Sequence, residues 1–366
     1  MLDGRTKHFG RSGKMCGDTF QKEFLEWTYR RFEIDKLCGS NLLHCPACSQ
    51  EMHAIGVDGN RKQYRFRKAS GVEKGFYDGV FLAKDDDVSS FVKHVHTKTN
   101  HALNMYRGEI YAYAMYLQKE LSSAGTVGFF CCDVACKYWL YLQKVVQACP
   151  ELEELLKMHP LLSVMHAKVH EWSCELKWGG RNHPGAGNTT REEVEQVNSF
   201  ISRAAVTTKY MSKTVWTDII TLLAMGWNER KFANMDHMLA KRYVKNVKRL
   251  KEETSLLEEK QAELDINDTV LQEWVAEVQQ WHEGTVCNSH LAIKRAIFDR
   301  LMLVNRLQEE ERILGQEMKR HWGSLQRAAG TLEALSQQLQ DQSNAVELSE
   351  GGREEWLSLP PEEKIE

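Results

Sequence analysis

The periodicity of hydrophobic and polar positions changes sharply within residues 125–146. A short apolar run with β-branched and aromatic residues, from Thr126 to Cys132, ends at Asp133, and apolar residues then recur every three or four positions. The first pattern predicts a buried strand and the second a helix, so Asp133 falls at their junction. In α/β proteins the functional groups lie beyond the carboxyl ends of the strands. Asp is also a common helix N-cap, and that interpretation of Asp133 stays open.

Several other segments predict strands. Residues 53–57 form an apolar run that ends in Asp58-Gly59-Asn60, and residues 63–68 then alternate aromatic and basic side chains. This pattern predicts a β-hairpin with Asp58 at its bend, where Asp58 is either the ordinary turn residue or a functional carboxylate. Residues 77–83 predict a further strand, and residues 161–178 begin with another.

Helical patterns dominate the rest of the chain. An amphipathic helix is predicted over residues 19–37, and a second follows the glycine-rich residues 179–190. From residue 211 onward the chain is expected to be helical. Apolar residues there recur at intervals of seven, although their companion positions are polar: Leu250, Leu257, Leu264, Leu271 and Val278. A second apolar pattern, over residues 297–339, predicts a partner helix that folds back to form a helical hairpin.

Composition sets outer bounds on the class of protein. The chain has 366 residues, 42% of them hydrophobic, and a net charge of -3, which allows a sizeable core and about two domains. No apolar run is long enough for a membrane helix, and no signal peptide is evident, so we expect a protein without membrane contact inside the cell. The chain divides into a flexible basic arm (1–18), a helix with a CPAC element (19–52), an α/β domain (53–235), a helical, coiled-coil-like region (236–345) and an acidic disordered tail (346–366).

Cysteine and histidine spacing indicates a possible zinc site. Cys45 and Cys48 have the spacing of half a tetrahedral zinc site. The other ligands could be Cys38 and His44 nearby, or a distant series, His166, His170 and Cys174, which would share one face if that segment were helical. Ordinary buried thiols are the alternative interpretation.

The order of the candidate carboxylates along the chain is more informative than any one of them alone. Asp58 follows one predicted strand, Asp133 follows a later one, and glutamates begin the helix after the glycine-rich loop. The chain order Asp, Asp, Glu on an α/β background is typical of two-metal phosphodiester chemistry, which uses Mg²⁺ and therefore oxygen ligands.

An ordered set of motifs resembles one protein family. The motifs are CPAC (45–48), VDGNRKQYRF (57–66), FFCCDVACKYW (129–139), HAKVHEWSC (166–174) and GAGNTTREEVEQVNSF (185–200). Over roughly residues 20–235 they resemble the Kyakuja-Dileera-Zisupton (KDZ) transposases. The resemblance implies an RNase H-like core with a mixed sheet, Mg²⁺ or Mn²⁺ dependence, and a catalytic triad of Asp58, Asp133 and Glu192, with Glu195 as the alternative third acid. It also makes the CPAC pair and the His-x3-His-x3-Cys series expected features.

The resemblance further implies DNA partners and a nuclear location. Five cations beside Asp58 are the candidate DNA contacts, with a solvated strand face as the alternative: Arg61, Lys62, Arg65, Arg67 and Lys68. Residues 241–251 are a second basic segment, and the C-terminal helices are candidates for self-association.

One departure from the family pattern bears on activity. Family members carry a segment of several dozen residues before the region that matches residues 102–113. This segment is missing here, and Asn100-His101 leads directly into that region. The missing piece is expected to include a core strand. The sequence therefore predicts a transposase, or a derivative of one, weakened or inactivated by an internal deletion. A non-catalytic DNA- or chromatin-binding protein is the alternative, and a helical scaffold with an unimportant α/β head is a third interpretation.

Overall fold

The computed structural model describes residues 17–38, 42–48, 51–60, 63, 65–66, 75–99, 111–162, 167, 170–188, 193–281 and 291–358. Its elements, in chain order, are α1 (Gly17–Leu37), β1 (Glu51–Val57), α2 (Asp85–Thr99), α3 (Tyr111–Ala124), β2 (Thr126–Cys132), α4 (Ala135–Ala148), β3 (His159–Leu161), α5 (Trp172–Trp178), α6 (Glu193–Ser202), α7 (Ala205–Thr208), α8 (Lys213–Phe232), α9 (Met235–Glu263), α10 (Asp268–Trp281) and α11 (Leu291–Ser358). Two 3₁₀ helices, Pro150–Lys157 and Gly180–Asn182, join them.

The described strands form one small parallel sheet in the order β1-β2-β3. The pairing runs from Glu51 opposite Thr126 to Val57 opposite Cys132, so β1 and β2 end together. The central strand β2 is the predicted apolar run, with the predicted bounds, and most of its side chains are buried. Parallel strands need long crossovers, which α2 and α3 supply before β2 and α4 supplies after it. The prediction of an α/β fold is confirmed, but the three described strands are all parallel, and not mixed as predicted.

The predicted hairpin at Asp58 is absent from the described part of the sheet. β1 pairs with β2, and residues 63, 65 and 66 lie outside any strand. The Phe66 N–H donates to the Lys209 carbonyl at 2.9 Å, and the Gln63 side chain donates to the Ile201 carbonyl at 2.6 Å. After the Asp-Gly turn, these described residues contact α6 and α7 instead of returning along β1.

Residues 77–83 form turns, and the predicted strand there is wrong. The Tyr77 side chain is completely buried against the aromatic residues of α1, including Tyr29 and Phe32. The backbone N–H groups of Phe76 and Tyr77 donate to the buried Asp218 carboxylate on α8, at 3.2 and 2.9 Å. Since these backbone donors are satisfied by a side chain, the segment does not need a sheet partner.

The main core lies between the sheet and the helices α2, α3 and α4. Phe130 of β2 and Tyr138 and Leu142 of α4 are fully buried at its centre. The Tyr138 hydroxyl donates to the Gln118 side chain at 2.5 Å, and the Gln118 amide donates to the Leu155 carbonyl at 2.8 Å. Each buried polar group in this chain of contacts has a partner, so the core incurs little desolvation cost for them.

The C-terminal helix α11 packs antiparallel against α9. Leu239 of α9 clusters with Leu314 of α11, and farther along α9 Leu257 clusters with Ile297. α9 ends at Glu263, and after a short break that contains Asp265 with a φ of 51°, α10 continues along α11. The residues of the seven-residue repeat face α11 on both sides of the break: Leu250, Leu257, Leu264 and Leu271, with Val278 in an adjoining cluster.

Helix α11 is longer than its apolar pattern predicts. It extends to Ser358 and thus runs through most of the stretch predicted to be a disordered tail, where Glu, Leu and Arg are good helix formers. No helix in the described ranges has both the length and the apolar content needed to cross a bilayer. The predicted basic arm is almost entirely outside the described residues.

α11 also holds the glycine-rich loop at residues 183–188. The Gly187 N–H donates to Glu309 at 3.2 Å, and the Asn188 N–H donates to Glu310 at 3.1 Å. Glu310 is 1% exposed and forms an ion pair with Arg242 of α9 at 2.6 Å. The loop that leads into α6 is therefore fixed by two carboxylates of the C-terminal helix.

We predict that Gly187→Ala destabilises the fold more than Gly185→Ala. Both glycines have positive φ, 65° and 82°, so each alanine carries a similar backbone cost of about 1–2 kcal/mol. A Cβ at Gly187 would lie 2.7 Å from Ile313 Cδ1 and 2.9 Å from Glu310 Oε2, whereas at Gly185 the nearest atom is Phe129 Cζ at 3.6 Å. We expect an additional loss of about 1–3 kcal/mol in the free energy of unfolding, measured by urea denaturation. Equal losses in the two variants would mean that α11 does not fix the loop.

Candidate active site and metal-binding group

Asp58 and Asp133 follow the carboxyl ends of neighbouring parallel strands. Val57 of β1 pairs with Cys132 of β2, and each aspartate is the next residue. Adjacent strands lie about 4.8 Å apart, so the two strands end side by side at the same edge of the sheet. Asp58 is exposed and Asp133 is half-buried. The N-cap position of α4 is occupied by Val134, which makes no side-chain capping bond, so Asp133 lies outside the cap position.

Helix α6 lies against the turn that carries Asp58. The Asn198 amide donates to the Asp58 carboxylate at 3.0 Å. The Asn60 amide donates to the Asn198 carbonyl at 3.3 Å, and the Ser202 hydroxyl donates to the Asn60 side chain at 3.2 Å. Val194 packs so closely on Gly56 that a Cβ there would lie 2.9 Å from its methyl group. The helix and the end of β1 therefore form one unit.

The face of α6 on which each glutamate lies indicates which of them is the better candidate for the third acid. Glu195, Asn198 and Ser202 are three and four residues apart and share one face of the helix. Asn198 and Ser202 contact the Asp58 turn, which puts Glu195 on the face directed to that turn. Glu193 lies on another face, where its charge acts on Glu317 of α11. Glu192 lies outside the described residues.

Cys136, His170 and Cys174 form a group with the composition of a metal site. Their ligand atoms all lie within 4.8 Å of one another, and all three residues are half-buried. His170 Nδ1 is 3.8 Å from Cys136 Sγ and 3.4 Å from Cys174 Sγ. Burial, followed by the contact with the Cys136 thiol, raises the pKa of the Cys174 thiol to about 11. The predicted partner His166 lies outside the described residues.

Cys45 and Cys48 are in a different environment. Cys45 packs, with the neighbouring Ala47, against Met235, Leu239 and other residues of a cluster between α9 and α11. The hydrogen bond from the Cys48 thiol lowers the pKa of Cys45 to about 7, and the same bond raises the pKa of Cys48. In the described part of the chain, neither cysteine belongs to a group of three or more potential ligands.

The structure thus changes the composition of the predicted zinc set. It brings His170 and Cys174 together with Cys136, a residue that the sequence reasoning did not assign to a metal. The signal was present, since Cys136 belongs to the same motif as Asp133. A second group, His94, Cys149 and Glu151, contains an ordinary surface pair, with His94 Nε2 and a Glu151 oxygen 2.7 Å apart.

Of the five cations predicted to contact DNA, the structure describes only Arg65. It is half-buried, and its guanidinium is 3.5 Å from the Phe66 carbonyl. Arg61, Lys62, Arg67 and Lys68 lie outside the described residues. The second basic segment is part of α9, where Lys241, Lys245 and Lys248 are exposed on one face.

Residues 89–228 match the model of one protein family, the Kyakuja-Dileera-Zisupton transposases. The matched range contains Asp133, the group of Cys136, His170 and Cys174, and all of α6, whereas Asp58 precedes it. The resemblance predicted from the motifs is confirmed for this range. No curated protein and no solved structure matches the chain.

We predict that Asn60→Ala loosens the Asp58 turn from α6. The change removes two side-chain hydrogen bonds, to the Asn198 carbonyl and from the Ser202 hydroxyl. We expect a loss of about 1–2 kcal/mol in unfolding free energy and faster amide exchange at residues 57–60. Ser202→Ala is the control, because it removes only one of the two bonds and should cost about half as much. Unchanged exchange in Asn60→Ala would contradict the coupling of turn and helix.

Proposed function

We propose that the chain is a KDZ-type DNA transposase, or a derivative of one, that cleaves and transfers DNA strands with divalent metal ions. The family match over residues 89–228 supports the class of activity. The observation that carries the proposal is the common end of β1 and β2, because it presents Asp58 and Asp133 at one edge of the sheet. The architecture proposed with it is an RNase H-like core followed by a C-terminal helical hairpin.

The donor set at this edge fits Mg²⁺ or Mn²⁺. Asp58 and Asp133 supply carboxylate oxygens, which hard divalent ions prefer. The third ligand is Glu195 or Glu192, and the helical phase supports Glu195 because Asn198, on the same face, contacts Asp58. When bound, the ions would activate the attacking oxygen and stabilise the leaving oxygen of a phosphodiester. The residues of α6 orient the carboxylates: Asn198 fixes one oxygen of Asp58 and leaves the other for a metal.

We infer that catalysis by this chain is weak. The segment that family members carry before residue 102 would lie between α2 and α3, in the crossover that leads into β2. In the described sheet β1 is an edge strand. An additional strand would buttress that edge. A displacement of about 1 Å in a catalytic group can cost on the order of 100-fold in rate.

A nicking assay on supercoiled plasmid DNA tests the proposal. We expect weak Mn²⁺-dependent nicking by the wild type, and activity lower by at least about 10-fold in Asp133→Asn, because one ligand common to the metal ions loses its charge. Glu195→Gln should be equally impaired. Glu193→Gln is the matched control, because Glu193 is on the same helix but faces α11.

Three outcomes decide the assignment. Equal, near-background activity in wild type and Asp133→Asn, with both proteins folded by thermal denaturation, would contradict catalysis. Loss of activity in Glu192→Gln with retention in Glu195→Gln would assign Glu192 as the third acid. Metal-independent nicking would indicate a contaminating nuclease and remove support from the proposal.

The second candidate function is DNA or chromatin binding without catalysis. The exposed lysines on one face of α9, Lys241, Lys245 and Lys248, favour it. Lys248 has only a loose pairing with Glu252 at 3.8 Å. Such a row of cations can follow a phosphate backbone without reading its sequence. A nuclear location is part of either candidate function, because DNA is the partner of both.

Salt dependence tests where DNA binds. In a triple variant with Lys241, Lys245 and Lys248 changed to Gln, we expect the slope of log affinity against log salt to fall by about one for each lysine that contacts phosphate. A control with Lys137, Lys144 and Lys157 changed to Gln removes the same charge from α4 and its neighbouring 3₁₀ helix. A second variant neutralises the predicted cations at residues 61–68. If only this second variant lowers the slope, DNA contacts the segment beside Asp58 and not α9.

Self-association through the C-terminal helices also stays a prediction. Beyond its contacts with α9 and α10, α11 exposes apolar residues at intervals of three and seven: Trp322, Leu325, Leu332 and Leu339. Intervals of this kind suit a second copy of the same helix.

A further inference from the structure

We propose that Cys136, His170 and Cys174 bind a zinc ion that ties the Asp133 junction to α5. The site is separate from the two-metal chemistry proposed above and does not depend on it. Its ligands are two thiolates and an imidazole, a soft set that selects zinc over magnesium. This assignment replaces Cys45 and Cys48 with Cys136 as the partner of His170 and Cys174.

The separations within the group fit a tetrahedral ion. Zinc bonds of about 2.3 Å to sulfur and 2.0 Å to nitrogen, at tetrahedral angles, place sulfur and nitrogen ligands about 3.5 Å apart. The two observed separations between His170 Nδ1 and a cysteine sulfur are 3.4 and 3.8 Å. All three ligand atoms lie within 4.8 Å of one another, so one ion can contact them without rearrangement of the helices.

The positions of the ligands give the ion a mechanical role. Cys136 is in the first turn of α4, three residues after Asp133. His170 lies two residues before α5 and Cys174 is in its first turn, 34 residues or more farther along the chain. The short helix α5 packs Cys174 and Trp178 against the main core, and Trp172 and Leu176 against the cluster of Val278 and Phe298. A zinc bridge would therefore fix the strand-to-helix junction from which the Asp133 side chain extends.

The pair Cys45 and Cys48 does not compete for this ion. Cys45 packs in the cluster between α9 and α11, whereas Cys174 packs against the core around β2 and α4. A metal held by the CPAC pair would be a second site. The two assignments can therefore be separated by mutation.

The first test is the zinc content of the full-length chain purified under reducing conditions. In a Cys45→Ser/Cys48→Ser background we expect about one zinc per chain, and less than about a tenth of that after adding Cys136→Ser and Cys174→Ser. Zinc is measured by elemental analysis. A zinc-free Cys45→Ser/Cys48→Ser protein, with zinc present in the wild type, would overturn the proposal and assign the metal to the CPAC pair.

The second test uses the wild type, so it applies even if the cysteine variants do not fold. The wild type is stripped of metal and titrated with Co²⁺, which should give the sulfur charge-transfer absorption of a thiolate-bound ion. Added Zn²⁺ should then protect Cys136 and Cys174 from alkylation, read by peptide mass spectrometry, while Cys38, which is exposed, remains reactive. Absence of protection, or a disulfide between Cys136 and Cys174 in the freshly isolated chain, would overturn the proposal in favour of plain thiols or a redox pair. None of these measurements requires nuclease activity. A negative result for zinc would therefore not contradict the proposed catalysis, and the zinc site can be tested in a chain without catalysis.

Discussion

The in-register parallel pairing of β1 with β2 is the constraint on which the candidate active site depends. Backbone hydrogen bonds over the whole of β1 fix Val57 opposite Cys132, and a slip by one residue would turn every side chain to the other face. Both faces of β2 are buried, with Phe130 and Cys132 in the main core and Phe129 and Cys131 in the smaller cluster with Leu161. At the end of β1, Val194 of α6 packs directly on Gly56, so the strand end is also held by a helix. The paired strand ends thus determine where two carboxylates emerge.

The remaining part of the site depends on a helix that is remote in sequence. Glu309 and Glu310 of α11 accept the backbone N–H groups of Gly187 and Asn188, just before the helix that carries the candidate third acid. Glu310 is also paired with Arg242 of α9. The Glu310 side chain is buried, so removing its partners would leave a carboxylate without compensation in the interior, and these contacts resist displacement. The C-terminal helices consequently act as a support for the α/β domain and not only as an appended arm.

Local patterns predicted some elements well because the information was local. The apolar run at Thr126–Cys132 became β2 with unchanged bounds, and the repeat that contains Leu257 and Leu271 marks the surface that contacts α11. The break between α9 and α10 was missed, since the repeat continues through it. The predicted hairpin at Asp58 is absent from the described residues, and a turn sequence does not determine that β1 pairs with a strand 75 residues away.

The site itself was predictable only in part. Asp58 and Asp133 were each expected to follow an apolar strand, and they follow β1 and β2, but the adjacency of these strands comes from the parallel pairing. Cys136 was not assigned to a ligand set because its partners, His170 and Cys174, are joined to it only by the packing of α5 against α4. The contact of Asn198 with Asp58 spans 140 residues and has no counterpart in any local pattern.

The dependence of the loop at Gly187 on α11 also has a consequence for biosynthesis. Asn188 and its acceptor Glu310 are 122 residues apart, and a ribosome adds about 5–20 residues per second, so the acceptor is made roughly 6–24 s after the loop. During that interval the loop lacks the two carboxylates that fix its approach to α6. A chain whose translation stops before α11 would therefore carry the residues of the loop without the contacts that hold them. In this way the order of synthesis delays the fixing of the loop until α11 has been made.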